Sequence, residues 1–196
     1  MKYTALFCRS DSAYKKRDAW DVYDAERNAL TYRGTLPVVA HPPCRAWGVM
    51  AHMAFRNKDW TQSDDPRREI EKGLALKAIE FVQECGGILE HPAGSRLFGN
   101  VLPDVGEFPD CAGGFTIEID QFDFGHVAHK QTKLYIVGVE ISQLPELPAK
   151  RLEHTDRSIA GNVPGTTSCT QYQREYTPEA LIDWFEKVLD LIKEEA

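Results

Sequence analysis

The stretch DPRREIEKGLALKAIEFVQECGGILEHP, residues 65 to 92, decides the fold. Asp65 is a good N-cap, and Pro66 suits the first helical turn, where a missing N–H is no loss. Ile70, Leu74, Ala78, Ile79 and Val82 recur at helical spacing until Gly86-Gly87 stops the run, so the pattern predicts a helix over 65–85. Ile88-Leu89 starts an apolar strand at once, and upstream Leu36 to Ala40 reads as another short buried strand. Strand, connection with helix, strand across residues 36 to 90 is a βαβ unit, which implies a mostly parallel sheet.

Working outward, residues 3 to 8 and Ala19 to Asp24 read as two earlier strands, and Phe115 to Ile119 and Lys133 to Val139 as two later ones. Residues 140–176 carry Pro145, Pro148, Gly161 and Pro164 and read as an irregular excursion. The chain closes on a helix from Thr177, with Pro178 in its first turn and Leu181, Ile182, Phe185, Val188, Leu189 and Ile192 as its buried stripe. A length of 196 residues suits one compact unit. The expectation is therefore a single α/β domain over residues 1–196, Rossmann-like, in three layers, with a C-terminal packing helix.

The bulk composition narrows the function classes. No apolar run approaches the roughly 20 residues of a membrane span, and the first residues run into Arg9 and Asp11 too soon for a secretory signal. Five scattered cysteines, at 8, 44, 85, 111 and 169, contain no Cys-x-x-Cys pair and fit a reducing cytoplasm. A net charge of −7 argues against non-specific attraction to nucleic acid. Two basic groups stand against that trend. Lys15-Lys16-Arg17 reads as a solvated surface run, and His126 to Lys133 holds two lysines and two histidines.

Three segments end a strand in reactive or polar residues: Val39-Ala-His41-Pro-Pro-Cys44-Arg45, Ile88-Leu-Glu90-His91-Pro92, and Phe124 to Lys133 leading into the last strand. In open α/β sheets the ligand sits outside the carboxyl ends of the strands, so the first two segments should converge on one crevice. Pro42 and Pro43 hold Cys44 rigidly, and Arg45 beside it is placed to depress the thiol pKa. His41, Cys44, His91, Cys111, His126 and His129 offer metal-ligand types, but the paired short spacings of structural zinc are absent and no metal is assigned.

Taken in order, these segments resemble the cytosine-C5 DNA methyltransferases. Pro43-Cys44 is similar to that family's nucleophile motif, and Glu90-His91 looks like its Glu-Asn motif with His in place of Asn. Residues 124 to 138 resemble its Gln-x-Arg-x-Arg segment, with His129 at the Gln, Gln131 at the first Arg and Lys133 at the second. The likeness spans roughly residues 36 to 138, in the manner of small phage-borne relatives.

The resemblance implies thiolate attack of Cys44 on pyrimidine C6, Glu90 on the base edge, and His41, Arg45, His91, His129 and Lys133 around the substrate. It implies S-adenosylmethionine as donor, near Phe7 and Ser10 with Asp24 on the ribose, and DNA or a pyrimidine nucleotide as substrate. The segment Leu6 to Ser12 has none of the family's cofactor-loop glycines, and the first glycine of the chain is Gly34. Only 58 residues follow Gly138, too few for that family's large target-recognition region. The Arg174 and Glu175 entrance to the last helix offers an anion site or a capping network, and reads as the capping network. Two rivals stay open: a non-catalytic nucleotide-binding module on the same fold, and a cysteine- or metal-dependent hydrolase.

Overall fold

A computed structural model describes residues 1–49, 51, 65–161 and 163–194. Six strands make one sheet: β1 (Tyr3–Leu6), β2 (Trp20–Val22), β3 (Val38–Ala40), β4 (Gly87–Pro92), β5 (Phe115–Asp120) and β6 (Gln131–Val137). Their spatial order is β2-β1-β3-β4-β6-β5. The first four run parallel, and β6 is antiparallel to both neighbours, threaded between β4 and β5. Helix α1 (Pro66–Cys85) covers one face and α3 (Glu179–Glu194) the other, which makes a Rossmann-like three-layer α/β domain.

The two cores follow from the two-residue period of a strand, which sends alternate side chains to opposite faces. Tyr3, Ala5, Val39, Ile88, Leu134 and Ile136 pack against Leu181, Phe185 and Leu189 of α3. Leu6, Val38, Ala40, Leu89, Tyr135 and Val137 pack against Ala75, Ala78, Ile79 and Val82 of α1. The expected stripe of α3 is buried throughout. In α1 the stripe differs at its start: Ile70 is 61% exposed, and the buried face begins at Glu71 and Ala75. Four residues on from Ile70, Leu74 borders the cleft described below.

Asp65 caps α1 by accepting from the Arg67 N–H, and Gly86 ends it at φ 69°. Gly87 opens β4 at φ 143°, and a Cβ there would lie 2.0 Å from the Val38 carbonyl oxygen of β3. Gly87→Ala is therefore expected to cost about 3 kcal/mol or more, because the clash is with strand backbone that cannot swing aside. Urea unfolding of the variant checks this. A loss under about 1 kcal/mol would mean that the β3–β4 contact is looser than described.

Residues 140–176 form the expected excursion. They hold a one-turn 3-10 helix, the two-residue strands β7 (Arg157–Ser158) and β8 (Thr167–Ser168), and the short helix α2 (Gln171–Glu175), closed by a Thr170–Gln173 capping box. From β1 the chain first moves outward to β2 and then crosses to β3 on the other side. The strand order thus reverses at β1/β3, the place where α/β sheets open a crevice at their carboxyl edge. No helix among the described residues is long and apolar enough to cross a membrane.

Candidate functional site

A cleft of about 750 Å³ opens at that reversal point. The ends of β1 and β2 contribute Phe7, Arg9 and Asp24, and the ends of β3 and β4 contribute His41, Cys44, Arg45, Glu90 and His91. Lys130 reaches in from the approach to β6, and residues 171–172 and 174–177 form the outer wall. Convergence follows from the parallel strands, whose carboxyl ends all lie on one edge.

Glu90 is held from three sides in the cleft. Its Oε2 is 3.1 Å from His41 Nδ1, and its Oε1 accepts from Gln121 Nε2 at 2.9 Å and faces Lys130 Nζ at 3.7 Å. Burial alone opposes ionisation, but the Lys130 ammonium and the hydrogen bond from His41 outweigh it and hold the carboxyl below its usual range. Since a carboxylate only accepts, His41 Nδ1 is the donor of its bond, and the Tyr14 hydroxyl holds the other ring nitrogen at 3.0 Å. Tyr14 comes from the 3-10 turn Ala13–Lys16 that follows β1.

Cys44 stands directly after the two prolines, in a turn closed by the Trp47 N–H on its carbonyl at 3.1 Å. Burial first, and then the negative charge of Glu90, push its thiol pKa up. The expected depression by Arg45 is corrected: the Arg45 guanidinium turns outward, 60% exposed, and pairs with Glu71 on α1. The thiol therefore rests protonated, and a substrate or base must shift that balance before it attacks.

His91, at 1% exposure, is almost fully enclosed. Neither ring nitrogen meets a partner at hydrogen-bonding geometry among the described residues, although the Pro43 carbonyl lies beside the ring. Burial lowers its pKa to about 4, with Glu90 opposing. A histidine held neutral this way favours the fold above its unfolded pKa of about 6.5, and that contribution is lost as pH falls from there toward 4, because unfolding then takes up a proton. His91→Asn is expected to flatten stability against pH across that window. Unfolding midpoints measured at pH 7, 6, 5 and 4 check it, and an unchanged slope would contradict the burial.

The half of the cleft under β1 and β2 is built differently from what the resemblance implies. Phe7 takes φ 59°, a left-handed conformation, at the tip of β1. That turn costs a side chain roughly 1–2 kcal/mol, which a glycine would not incur. Ser10 is exposed and lies outside the cleft lining. Asp24 lines the cleft, but Oδ1 accepts the N–H groups of Glu26 and Arg27 at 3.0 Å each and Oδ2 pairs with Lys15. Lys15 first and the Arg27 N–H next lower its pKa to about 2. These residues do not fit an adenosine donor, since the carboxylate meant for the ribose is taken up inside the protein. Arg17 of the basic run is likewise paired, with Asp183 and Glu186 of α3 at 2.6 and 3.1 Å.

Arg9 closes the outer side. It binds Asp11 at 2.8 Å and Glu175 of α2 at 2.5 Å, and lies over the Tyr172 ring at 5.2 Å. Through Glu175 the Arg174–Glu175 segment is tied across the outer side of the cleft, while the capping box of α2 is made by Thr170 and Gln173.

His129 and Lys133 fall outside the cleft. His129 Nδ1 sits 2.6 Å from Asp120 and its ring 4.4 Å from that of Phe122, while Lys133 Nζ is 2.5 Å from Asp104. The reason is strand parity. Lys133 shares the face of Tyr135 and Val137, whereas Glu90 pairs with Leu134 on the opposite face, which Lys130 and Thr132 also share. Lys130, Gln121 and Tyr14 are site residues that the motif reading missed. Lys130 lay inside the basic segment already noted, three positions from Lys133 and so on the opposite face. His126 is buried between Ala128 and the Gln173 carbonyl. No group of three His, Cys, Asp or Glu side chains arranged to hold a metal ion occurs among the described residues.

No family model matches the chain, and a search of the curated proteins found no match.

Proposed function

We propose that the cleft binds a pyrimidine ring, in a nucleotide or in DNA, and that Cys44 adds to it covalently. What supports this most is one observation: Cys44 and an ionised, triply held Glu90 border the same cleft at the reversal point of the sheet. In the addition the thiol crosses the C5=C6 double bond, sulfur bonding to C6 while the proton ends on C5. Glu90 orients the ring through its N3–C4 edge, and its burial strengthens that contact over one made in open water. Reversal can remove either hydrogen from C5. This is the first half of the chemistry implied by the resemblance to cytosine-C5 methyltransferases. Methyl delivery from S-adenosylmethionine is not assigned to these residues, because the turn after β1 has no glycine and Asp24 is already tied to Lys15 and to the Glu26 and Arg27 N–H groups.

Solvent exchange tests the proposal without any donor. In heavy water the protein should replace hydrogen by deuterium at C5 of a pyrimidine nucleotide or of a short oligonucleotide, read by the loss of the H5 resonance. Nucleotide binding with no exchange at any pH between 6 and 9 would leave only a binding module.

A further inference from the structure

We infer that the ring this cleft prefers carries a hydrogen on N3, as uracil and thymine do and cytosine does not. The inference rests on the pyrimidine reading above and narrows it. Cys44 and Glu90 both line this cleft. C6 and N3 are opposite corners of a pyrimidine, so a ring lying between the two residues with C6 at the sulfur offers N3 to Glu90.

What Glu90 can do there is fixed by what surrounds it. Thr132 donates its hydroxyl hydrogen to the Lys130 carbonyl at 3.0 Å, so toward Gln121 its oxygen can only accept. Gln121 therefore presents its amino group to both Thr132 and Glu90, at 3.0 and 2.9 Å, and leaves its own carbonyl oxygen buried with no partner among the described residues. An unmatched buried acceptor is costly, and turning the amide over would set its oxygen against two acceptors instead. His41 Nδ1 donates on the other side, and the Lys130 ammonium faces the oxygen that Gln121 binds. Three donors converge on the carboxylate, and all three favour its ionised, accepting form.

A carboxylate so held accepts and does not donate. The N3–H of uracil or thymine meets it as a charge-assisted hydrogen bond. The N3 of cytosine brings a lone pair, and acceptor then faces acceptor. Cytosine's amino group can donate from the neighbouring corner, but that leaves the second carboxylate oxygen against N3. The Lys130 ammonium, which also lines the cleft, supplies a donor beside Glu90 for an adjoining ring carbonyl. The site therefore reads as acceptor with a flanking donor, the complement of the uracil edge.

The test compares 2′-deoxyuridine and 2′-deoxycytidine 5′-monophosphates, and two single-stranded oligonucleotides that differ only in that base, binding to the full chain by calorimetry. The uracil member of the better-bound pair should bind at least about tenfold more tightly. Glu90→Gln, whose amide can donate to N3, should bring the ratio to one or below. Equal or tighter cytosine binding by the unaltered protein overturns the inference and leaves the pyrimidine reading standing. Failure of every probe to bind overturns the pyrimidine reading and this inference with it. Should Glu90→Gln not fold, the ratio for the unaltered protein decides alone.

Discussion

Cys44→Ala is expected to lower deuterium uptake at pyrimidine C5 by more than roughly 10³-fold, because the exchange needs a covalent bond at C6 that no other group supplies. Cys8 also borders the cleft, but burial pushes its thiol up to about 12, so it does not substitute. Nucleotide affinity should stay within about threefold, since the edge contacts belong to Glu90 and Lys130 rather than to the sulfur. The fold should persist, as the Pro42-Pro43 turn is held by backbone and not by the thiol. A drop in exchange matched by an equal drop in affinity would instead make Cys44 a packing residue. NMR exchange rates and calorimetry on the same samples separate the two.

Lys130→Met is expected to destabilise the protein by about 3–5 kcal/mol, because it strands a buried carboxylate rather than removing a surface charge. Both partners are only 11% exposed, so solvent screening does little for what remains. For a domain of this size that is a fall in melting temperature of roughly 6 to 20 °C. The pH dependence has a definite sign. In the unaltered protein Glu90 titrates below its unfolded value, so its contribution is present above about pH 4 and lost as pH falls through the folded pKa. Without the ammonium, burial dominates and raises that pKa, so the penalty is largest at neutral pH and shrinks on acidification. Adding Glu90→Gln to Lys130→Met should restore most of the stability, since the charge that needed a partner is gone. Melting curves at pH 7 and pH 4.5 on both variants give the answer.

The parts of this fold and site that sequence made legible are those written locally. Asp65, Pro66 and the Gly86-Gly87 pair mark the ends of α1, and the apolar spacing of α3 marks its buried face. Strand-end chemistry was legible too, because parallel strands present one edge, and His41, Cys44, Glu90 and His91 all arrive there. What stayed hidden depends on contacts between distant segments. Gln121 reaches Glu90 only because β6 threads between β4 and β5, an order no local pattern announces. Lys130 rather than Lys133 faces the cleft because the two lie three positions apart, an odd number that puts them on opposite faces, and a motif alignment does not read that parity. Asp24 looked free for a ribose because Lys15, nine positions away, returns along the 3-10 turn to pair with it. Arg45 looked like an activator of Cys44 because the sequence does not display the Glu71 partner on α1.

The central claim is a bond between Cys44 and pyrimidine C6, and fluorine NMR of 5-fluoro-2′-deoxyuridine 5′-monophosphate with the protein in excess tests it most directly. Addition turns the fluorine-bearing carbon from trigonal to tetrahedral and puts a hydrogen on it. The prediction is a shifted bound resonance split by that hydrogen, present with the unaltered protein and absent with Cys44→Ala. A bound resonance that keeps the unsaturated ring's signature, or an adduct that survives in Cys44→Ala, would contradict it.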